Sequence, residues 1–580
     1  MSYIDHSFLN NEETKKRASQ INWEIANFLR PKEKNLSKAF PLIPYLLHKA
    51  STYNDPLTVT FEMITNGEMD LKEDIRFLAE EVLTEELWKE LIPLVTEYSP
   101  DDFALAALIS VTENEQKSMM NTPRSIIRLA DALLNVQAGD QVADVCSGNG
   151  NYMISAALKE KRASYHGFEI NVAAKVATLM RADLLGIDLD VTICDVFNLP
   201  DSSTQKFDKI FSEYPLGVKL RNLGAGSEYL NSLSNRITGL SKMTSSDWVF
   251  NSLLCDLLKE NGKAVGIMAS GSAWNKMDMP MRQYFVENRL VECVISLPNK
   301  MFPYMSMPAS LIVLSHNNDG VRMIDASNIY QPGRRQNEFS NSDIETIIDA
   351  LTRDQANSRH ITIEELRENE YNLSLNRYLH EEVSFTNGVK FGDIIKSISR
   401  GAPCKASQLD KMVSNEVTDM QYLMLSNIQD GIIDDKLPYL SEIDKKYEKY
   451  CLKNNALLLS KNGFPYKVAV ASVKDGKRIL VNGNLYIIEL DEEKANPYYI
   501  KAFFDSELGY AALKNISAGV AVPNISVENL SNMQIPLPPM EVQDKVAMKY
   551  QATLDEISVM KLRLEKAVNK LHYIYDEESC

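Results

Sequence analysis

Four short apolar runs between Gln141 and Gly217, evenly spaced and each closed by an acid or a tight turn, constrain this chain more than any other feature. The first, Gln141-Val142-Ala143, ends in Asp144 and passes at once into Val145-Cys146-Ser147-Gly148-Asn149-Gly150; a helical pattern follows from Tyr152 to Leu158. The second, Tyr165-His166-Gly167-Phe168, ends in Glu169. The third, Val191-Thr192-Ile193-Cys194, ends in Asp195, and the fourth, Phe207–Ser212, leads into Glu213-Tyr214-Pro215-Leu216-Gly217. Glycines let a backbone bend sharply and approach a ligand that a Cβ would block. The pattern predicts strand, glycine turn and helix in an open, mostly parallel sheet, with a crevice outside the carboxyl ends of the strands.

An acid at the tip of the second strand is placed to hold the hydroxyls of a ribose. The dinucleotide pattern Gly-x-Gly-x-x-Gly is broken, because position 153 is Met. No pyrophosphate is expected, which favours S-adenosylmethionine (SAM) over NAD as the cofactor. Thr122-Pro123-Arg124-Ser125-Ile126-Ile127-Arg128-Leu129 followed by Asp144–Gly150 resembles the start of the catalytic region in N6-adenine DNA methyltransferases, especially the modification subunits of Type I restriction systems. Leu290–Pro298, Met307–Leu314 and Tyr371–Tyr378 resemble the same family, so the likeness covers about residues 115–380. It implies a Rossmann-like methyltransferase domain. Asp144, Gly148 and Gly150 would lie at the methionine end of SAM with Thr122 and Pro123 nearby. Glu169 would hold the ribose and Asp195 the cofactor's adenine amine, while Glu213, Tyr214 and Pro215 line the pocket for the target base.

The chain has 580 residues, too many for one compact core. Its apolar fraction of 44% and charged fraction of 24% are those of a globular protein. It holds no apolar run long enough to span a bilayer, and its start lacks the basic-then-apolar pattern of a secretion signal. Cysteines at 146, 194, 255, 293, 404, 451 and 580 form no Cys-x-x-Cys pair, and the seven histidines are scattered. A reducing cytoplasm and no metal are therefore expected. The net charge of −17 runs against nucleic-acid binding in bulk, so DNA contact requires a local basic surface on an acidic remainder.

Taken in order, residues 1–115 read as a helical N-terminal domain, with Ile21, Ile25, Phe28 and Leu29 on one face and Ile75, Leu78, Val82 and Leu87 on another. Residues 116–380 form the α/β domain. Its second half predicts a helix around Trp248–Leu258, a turn at Lys259–Gly262, a strand at Ala264–Met268, a helix at Met281–Asn288, and strands at Leu290–Leu297 and Leu311–Ser315. Between Gly217 and Ser246 a long polar loop is expected, carrying Lys219, Arg221, Gly224 and Gly226. Residues 381–540 change to short β-like runs, such as Gln421–Leu425 before Asp430-Gly431, Ala456–Gly463, Lys467–Val473 and Leu485–Leu490. Together with Gly519–Ser526 and Ile535–Pro539 these resemble a single α+β target-recognition domain of a Type I specificity subunit, where a full subunit carries two. The resemblance implies double-stranded DNA as partner, contacted through Lys396, Arg400, Lys405, Lys461, Lys467, Lys477 and Arg478, with Lys474 in the same set. Residues 541–580 predict one long helix. Val546, Tyr550, Thr553, Ile557, Met560, Leu564, Ala567, Leu571 and Ile574 follow a coiled-coil seam, read as a contact within the chain, with a second copy, or with a related subunit.

The family's fourth strand ends in Asn/Asp-Pro-Pro-Tyr/Phe. A polar side chain accepts from the amine of an everted adenine, and the aromatic ring stacks on the base. Here the residues are Glu213-Tyr214-Pro215-Leu216. Glu is one methylene longer, and displacement by about 1 Å at a reacting centre costs on the order of a hundredfold. Leu216 has no π-face, and lost stacking costs roughly 1–3 kcal/mol. Two readings stand at this point: an adenine methyltransferase with an altered pocket, or a SAM- and DNA-binding recognition subunit that recruits partners in phage defence. No Gly-x-x-x-x-Gly-Lys-Ser/Thr motif is present, so translocation or cleavage would come from a separate subunit.

Overall fold

The computed structural model describes residues 12–29, 36–118, 122–199, 205–223, 228–302, 309–334, 336–379, 385, 388–404, 412–434, 436–441, 445–463, 465–473, 476–517 and 524–579. The chain forms two compact units, Met1–Leu375 and Asn376–Cys580.

The first unit is built on a nine-stranded sheet. Its first five strands are β1 (Gln141–Val145), β2 (Ser164–Glu169), β3 (Asp190–Ile193), β4 (Phe207–Ser212) and β5 (Leu258–Ala269). They are followed by β6 (Val291–Ser296), β7 (Ala309–Leu314), β8 (Gly320–Asp325) and β9 (Ser358–Thr362). The sheet order is β3-β2-β1-β4-β5-β7-β6-β8-β9. β1 to β5 pair parallel with their neighbours, and β7 enters antiparallel to both β5 and β6. The chain lays β2 and β3 to one side of β1, then returns to set β4 on the other. The topological switch therefore falls between β1 and β4, where an open α/β sheet leaves its crevice.

Helices Glu12–Leu29 and Leu36–Ser51 and the segment Phe61–Thr96 belong to the same hydrophobic core as the sheet, which joins Ile21, Leu46 and Leu87 to Val142, Val265 and Leu311. Ala18, Ile21, Ile25 and Leu29 recur every three or four residues and are all buried, as one face of a helix requires. Polar contacts reinforce the junction: Tyr45 Oη donates to Asp183 at 2.9 Å, Lys49 pairs with Asp183 at 2.8 Å, and Lys175 pairs with Asp74 at 2.8 Å.

Three expected elements differ. The face from Ile75 to Leu87 is divided between helices Glu73–Val82 and Glu85–Leu91, because Thr84 accepts from the Leu87 amide at 3.3 Å and starts a new helix. The Lys259–Gly262 turn lies inside β5, which absorbs it through a register shift against Phe207 and Lys209. The polar stretch after Gly217 contains helix Glu228–Arg236, whose Leu230 and Leu233 are buried; Gly224 and Gly226 lie outside the described residues.

The second unit carries two four-stranded sheets. One takes Ile395–Arg400, Leu485–Leu490, Leu457–Ser460 and Val468–Val470 in that spatial order, and the other takes Val413–Ser414, Tyr439–Leu440, Met420–Leu423 and Arg478–Val481. Asp430 (φ 52°) and Gly431 (φ 74°) form the turn between the paired strands Ile428–Gln429 and Ile432–Ile433, and two successive positive φ values are what a two-residue hairpin needs. Beneath that turn Lys501 is fully buried, donating to Asp505 at 2.6 Å and Tyr550 at 3.1 Å. Of the Gly519–Ser526 motif, residues 519–523 lie outside the described set. Helix Met540–Ser579 runs 40 residues. It holds to its own unit through buried Gln543 and Ala547, Tyr550, and ion pairs from Lys561 to Asp430 at 2.6 Å and from Glu565 to Lys436 at 2.8 Å.

Because the helical layer and the sheet share one core, Leu46→Ala is expected to cost roughly 2–5 kcal/mol. Hydrogen exchange should then show lost protection in β1 and β4 as well as in the helices, within one cooperative transition.

Candidate functional site

The site grows from the turn after β1. Cys146, Gly148 and Gly150 all take left-handed backbone angles, with φ of 65°, 51° and 69°. For Cys146 this is costly, by on the order of 1–3 kcal/mol, and such strain persists only where the surroundings enforce it. They do so here. The Ser147 amide bonds the Phe168 carbonyl at 3.0 Å, and the Gly150 amide bonds the Ser147 carbonyl at 2.9 Å. From the helix after β2, Thr178 donates to the Gly148 carbonyl at 3.2 Å, while Arg181 donates to Asn149 O at 2.6 Å and Asn151 Oδ1 at 2.7 Å. A Cβ on Gly150 would overlap the Thr178 side chain, whereas a Cβ on Gly148 would enter open space. The turn is thus packed on one side and clear on the other.

Glu169, at the tip of β2, binds the turn from across the crevice. Its Oε2 accepts from the Gly148 amide at 2.7 Å, and its Oε1 accepts from the Ile170 and Asn171 amides at 2.9 and 2.8 Å. Three of the roughly four acceptor directions of a carboxylate are filled. Asp144 is buried at the end of β1, and its carboxyl is held well above the usual range, first by burial and then by Glu169 and Glu213. Asp195 is exposed beyond β3, accepting from the Phe197 amide at 3.0 Å and Asn198 Nδ2 at 3.2 Å.

Beyond β4, Glu213 accepts a hydrogen bond from the Thr122 hydroxyl, and burial pushes its carboxyl up to about 7 against the lowering effect of that bond. Thr122, expected beside the cofactor, is thus tied to Glu213 beyond β4. Pro123 is buried and sits at the N-cap of helix Arg124–Leu134. Behind Glu213, buried Asp247 accepts from the Gly217 amide at 3.3 Å, the Ala269 amide at 2.8 Å and Ser272 at 3.0 Å, tying the loop to the tip of β5. The structure therefore brings together Thr122, Asp144, Gly148, Glu169 and Glu213.

Tyr214 is not with them. Its ring is 1% exposed, stacks on Phe250 at 4.9 Å with planes 3° apart, and donates to Asn251 Oδ1 at 3.0 Å. This corrects its placement in the target-base pocket: the ring is spent on the core and has no face to offer a base. Pro215 is exposed, and Leu216 packs against the apolar core. The sequence reading missed Thr178 and Arg181; the signal was polar residues spaced three apart, Lys175, Thr178 and Arg181, along one face of the helix.

The basic residues of the second unit divide. Lys467 donates to the Leu425 and Ile428 carbonyls at 3.1 and 2.6 Å, Lys477 donates to Thr418 O at 2.8 Å and lies over the Tyr439 ring, and Arg478 pairs with Asp419 at 3.0 Å. Lys396 and Arg400 are exposed and Lys461 is half-buried, while Lys405 and Lys474 lie outside the described residues. Among the described residues no group of three or more His, Cys, Asp or Glu is arranged to hold a metal ion.

A doubly wound sheet with a glycine turn and acids at adjacent strand tips defines the class, that of the SAM-dependent methyltransferases. Comparison with known proteins narrows it. Residues 106–385 match the N-6 DNA Methylase family, and residues 387–570 match the Type I restriction modification DNA specificity domain. The chain is 26% identical over 341 residues to the Type I restriction enzyme MpnII methylase subunit of Mycoplasma pneumoniae, covering 52% of this chain and 62% of that protein. It is 23% identical over 361 residues to the HindI methylase subunit of Haemophilus influenzae, covering 58% and 79%. It thus spans less than two thirds of the first relative's length. The type I restriction-modification system methyltransferase subunit from Streptococcus thermophilus shares the fold, with a TM-score of 0.51 at 19% identity over 63% of this chain and 99% of that one. Residues 106–385 thus form an N-6 DNA methylase domain and residues 387–570 a Type I specificity domain, joined in one polypeptide.

Glu213 binds its proton more tightly in the folded than in the unfolded chain. Its burial therefore costs stability that is absent below the ordinary carboxyl range and complete once the pH passes about 7. Glu213→Gln is expected to melt with the wild type near pH 4.5 and progressively above it as pH rises, by roughly 2–3 kcal/mol at pH 8. Paired thermal melts across that range check it.

Proposed function

We propose that this chain joins DNA modification and DNA sequence recognition in one polypeptide of a restriction-modification or phage-defence system, acting on double-stranded DNA in the cytoplasm. The observation that carries the reading is the convergence of Asp144, Glu169 and Glu213 on the clear side of the glycine turn, at the switch point of the sheet. SAM fits these residues: the open space above Gly148 admits it, and its cationic methionine end offsets the crowding of carboxyl groups that raises Asp144. Bound there, SAM supplies an electrophilic methyl group. Asp144, Gly148 and Gly150 hold the methionine end, Glu169 meets the ribose through its remaining acceptor direction, and exposed Asp195 takes the adenine amine.

Glu213 faces the everted adenine. Bonded to Thr122, its carboxylate accepts from the exocyclic amine, orients the nitrogen for attack, and receives the proton released after transfer. A carboxyl balanced near neutrality suits that task. Because only the ionised form can receive that proton, methyl transfer is expected to rise with pH through about 7, and Glu213→Gln should lower and flatten the profile.

The burial of Tyr214 favours a second reading, in which cofactor and DNA are bound but transfer is lost and the protein recruits a separate nuclease or translocase subunit. Purified protein incubated with labelled SAM and mixed genomic DNA separates the two. Cofactor retention with methyl incorporation supports the enzyme. Retention without incorporation, unrestored by Glu213→Asn with Leu216→Phe, supports the recognition subunit, and no retention overturns both.

The terminal helix leaves Met560 at 63%, Leu564 at 65% and Val568 at 44% exposure, while Tyr550 and Ile557 of the expected seam turn toward their own unit. A second copy, or a related subunit, would cover that stripe and supply the recognition domain that a single chain lacks. Met560→Glu with Leu564→Glu should convert a dimer to a monomer in sedimentation while leaving SAM retention unchanged.

A further inference from the structure

One corner of the second unit gathers the residues that a sequence-reading surface needs. Strand Ile395–Arg400 ends, strand Leu485–Leu490 begins and strand Leu457–Ser460 ends at the same end of one sheet, since Arg400 pairs with Tyr486 and Ser460 with Leu485. Backbone bonds fasten the three loops to each other: Gly401 N to Leu485 O at 2.9 Å, Lys461 N to Asn484 O at 2.8 Å, and Ile525 N to Lys461 O at 3.1 Å. Gly401 is required there, because a Cβ would overlap the Asn482 carbonyl. The platform is rigid, and its side chains are spare.

Among the described residues Arg400 spends only its Nε, on the Gly483 carbonyl, leaving the two terminal nitrogens of an exposed guanidinium. Among the described residues neither Arg400 nor Lys461 has an ion-pair partner. The two cations also press on each other: burial and the nearby Arg400 together depress the Lys461 ammonium. Two cations held close, with no ion-pair partner among the described residues, in a chain of net charge −17 favour an anion at this corner. Asn484 is exposed, its amide engaged by no described residue. Gly463, with a φ of 88°, has nothing within 4 Å of its Cβ direction, so the loop beside Lys461 is open to close approach.

We infer that this corner, and not the whole basic set of the unit, is the edge that reads duplex DNA, with Lys461 on a phosphate, Arg400 on a guanine and Asn484 on an adenine. Terminal guanidinium nitrogens match guanine O6 and N7, an asparagine amide matches adenine N6 and N7, and a lysine serves as a point charge for phosphate. Lys467, Lys477 and Arg478 already hold backbone carbonyls or Asp419, so recruiting them to DNA would undo internal bonds. The inference rests on the second unit being a DNA-recognition domain.

The test uses the full chain and a randomised duplex library: bound duplexes are selected and sequenced, and affinity for the enriched duplex is followed by fluorescence anisotropy against salt. Lys461→Gln should weaken binding of all duplexes roughly tenfold and reduce the logarithmic salt slope by about 1. Arg400→Gln and Asn484→Ala should each relax preference at one or two positions of the enriched sequence. Lys453→Ala, which breaks an ion pair with Glu489 toward the far end of the same sheet, should change neither. Because the Asn484 side chain holds no described internal bond, its variant should melt with the wild type and remain informative if Arg400→Gln folds poorly. An enriched sequence and salt slope reproduced unaltered by Lys461→Gln and Asn484→Ala overturn the assignment alone. Wild-type protein that retains no duplex overturns the recognition reading beneath it as well.

Discussion

The first unit depends on keeping acids close together where a sheet reverses its winding. Asp144, Glu169 and Glu213 stand at the tips of β1, β2 and β4, and β1 lies between the other two in the sheet; burial, with repulsion from Glu169 and Glu213 added, raises the Asp144 carboxyl well above its ordinary range. Such an arrangement destabilises an empty protein and favours one carrying a cation. The fold offsets part of the cost with backbone. Glu169 draws three amides onto one carboxylate, and in doing so fixes the glycine turn.

The altered motif beyond β4 reads differently once side-chain directions are known. Tyr214 does not replace the family's stacking aromatic; it joins a ladder of rings that runs through Phe250 to Phe197 and Tyr229. Glu213 keeps the acceptor function with one oxygen already committed to Thr122. On the reading proposed above, a site that loses its π-face but retains a positioned carboxyl would keep orientation of the amine and give up grip on the base. Those two contributions are separable: stacking governs how long a base stays everted, and hydrogen bonding governs how it is aimed.

In the second unit, position alone separates structural lysines from those available to DNA. Lys467 and Lys477 cap carbonyls from segments remote in sequence, and Lys501 is sealed beneath a hairpin turn with Asp505 and Tyr550. Each holds strands or helices together. The terminal helix divides likewise, with one stripe fastened by Tyr550, Lys561 and Glu565 and another left apolar and exposed.

Local periodicity, read from sequence, determined the elements: the bounds of β4 and of strand Leu485–Leu490, the glycine turn, and the Asp430-Gly431 hairpin follow from alternation and turn chemistry acting over a few residues. The acids at the strand tips were legible for the same reason. Only the tertiary structure decided which way a side chain beyond a strand end turns, and it put the Tyr214 ring in the core against Phe250 rather than in the expected pocket. It alone brought Thr122 to Glu213 across 91 positions of chain and gave three of the predicted DNA-contacting cations partners within their own unit. Sequence carries the short-range propensity of each segment. Burial and hydrogen-bond partners are set by contacts between segments far apart, and those exist only when the whole chain has packed.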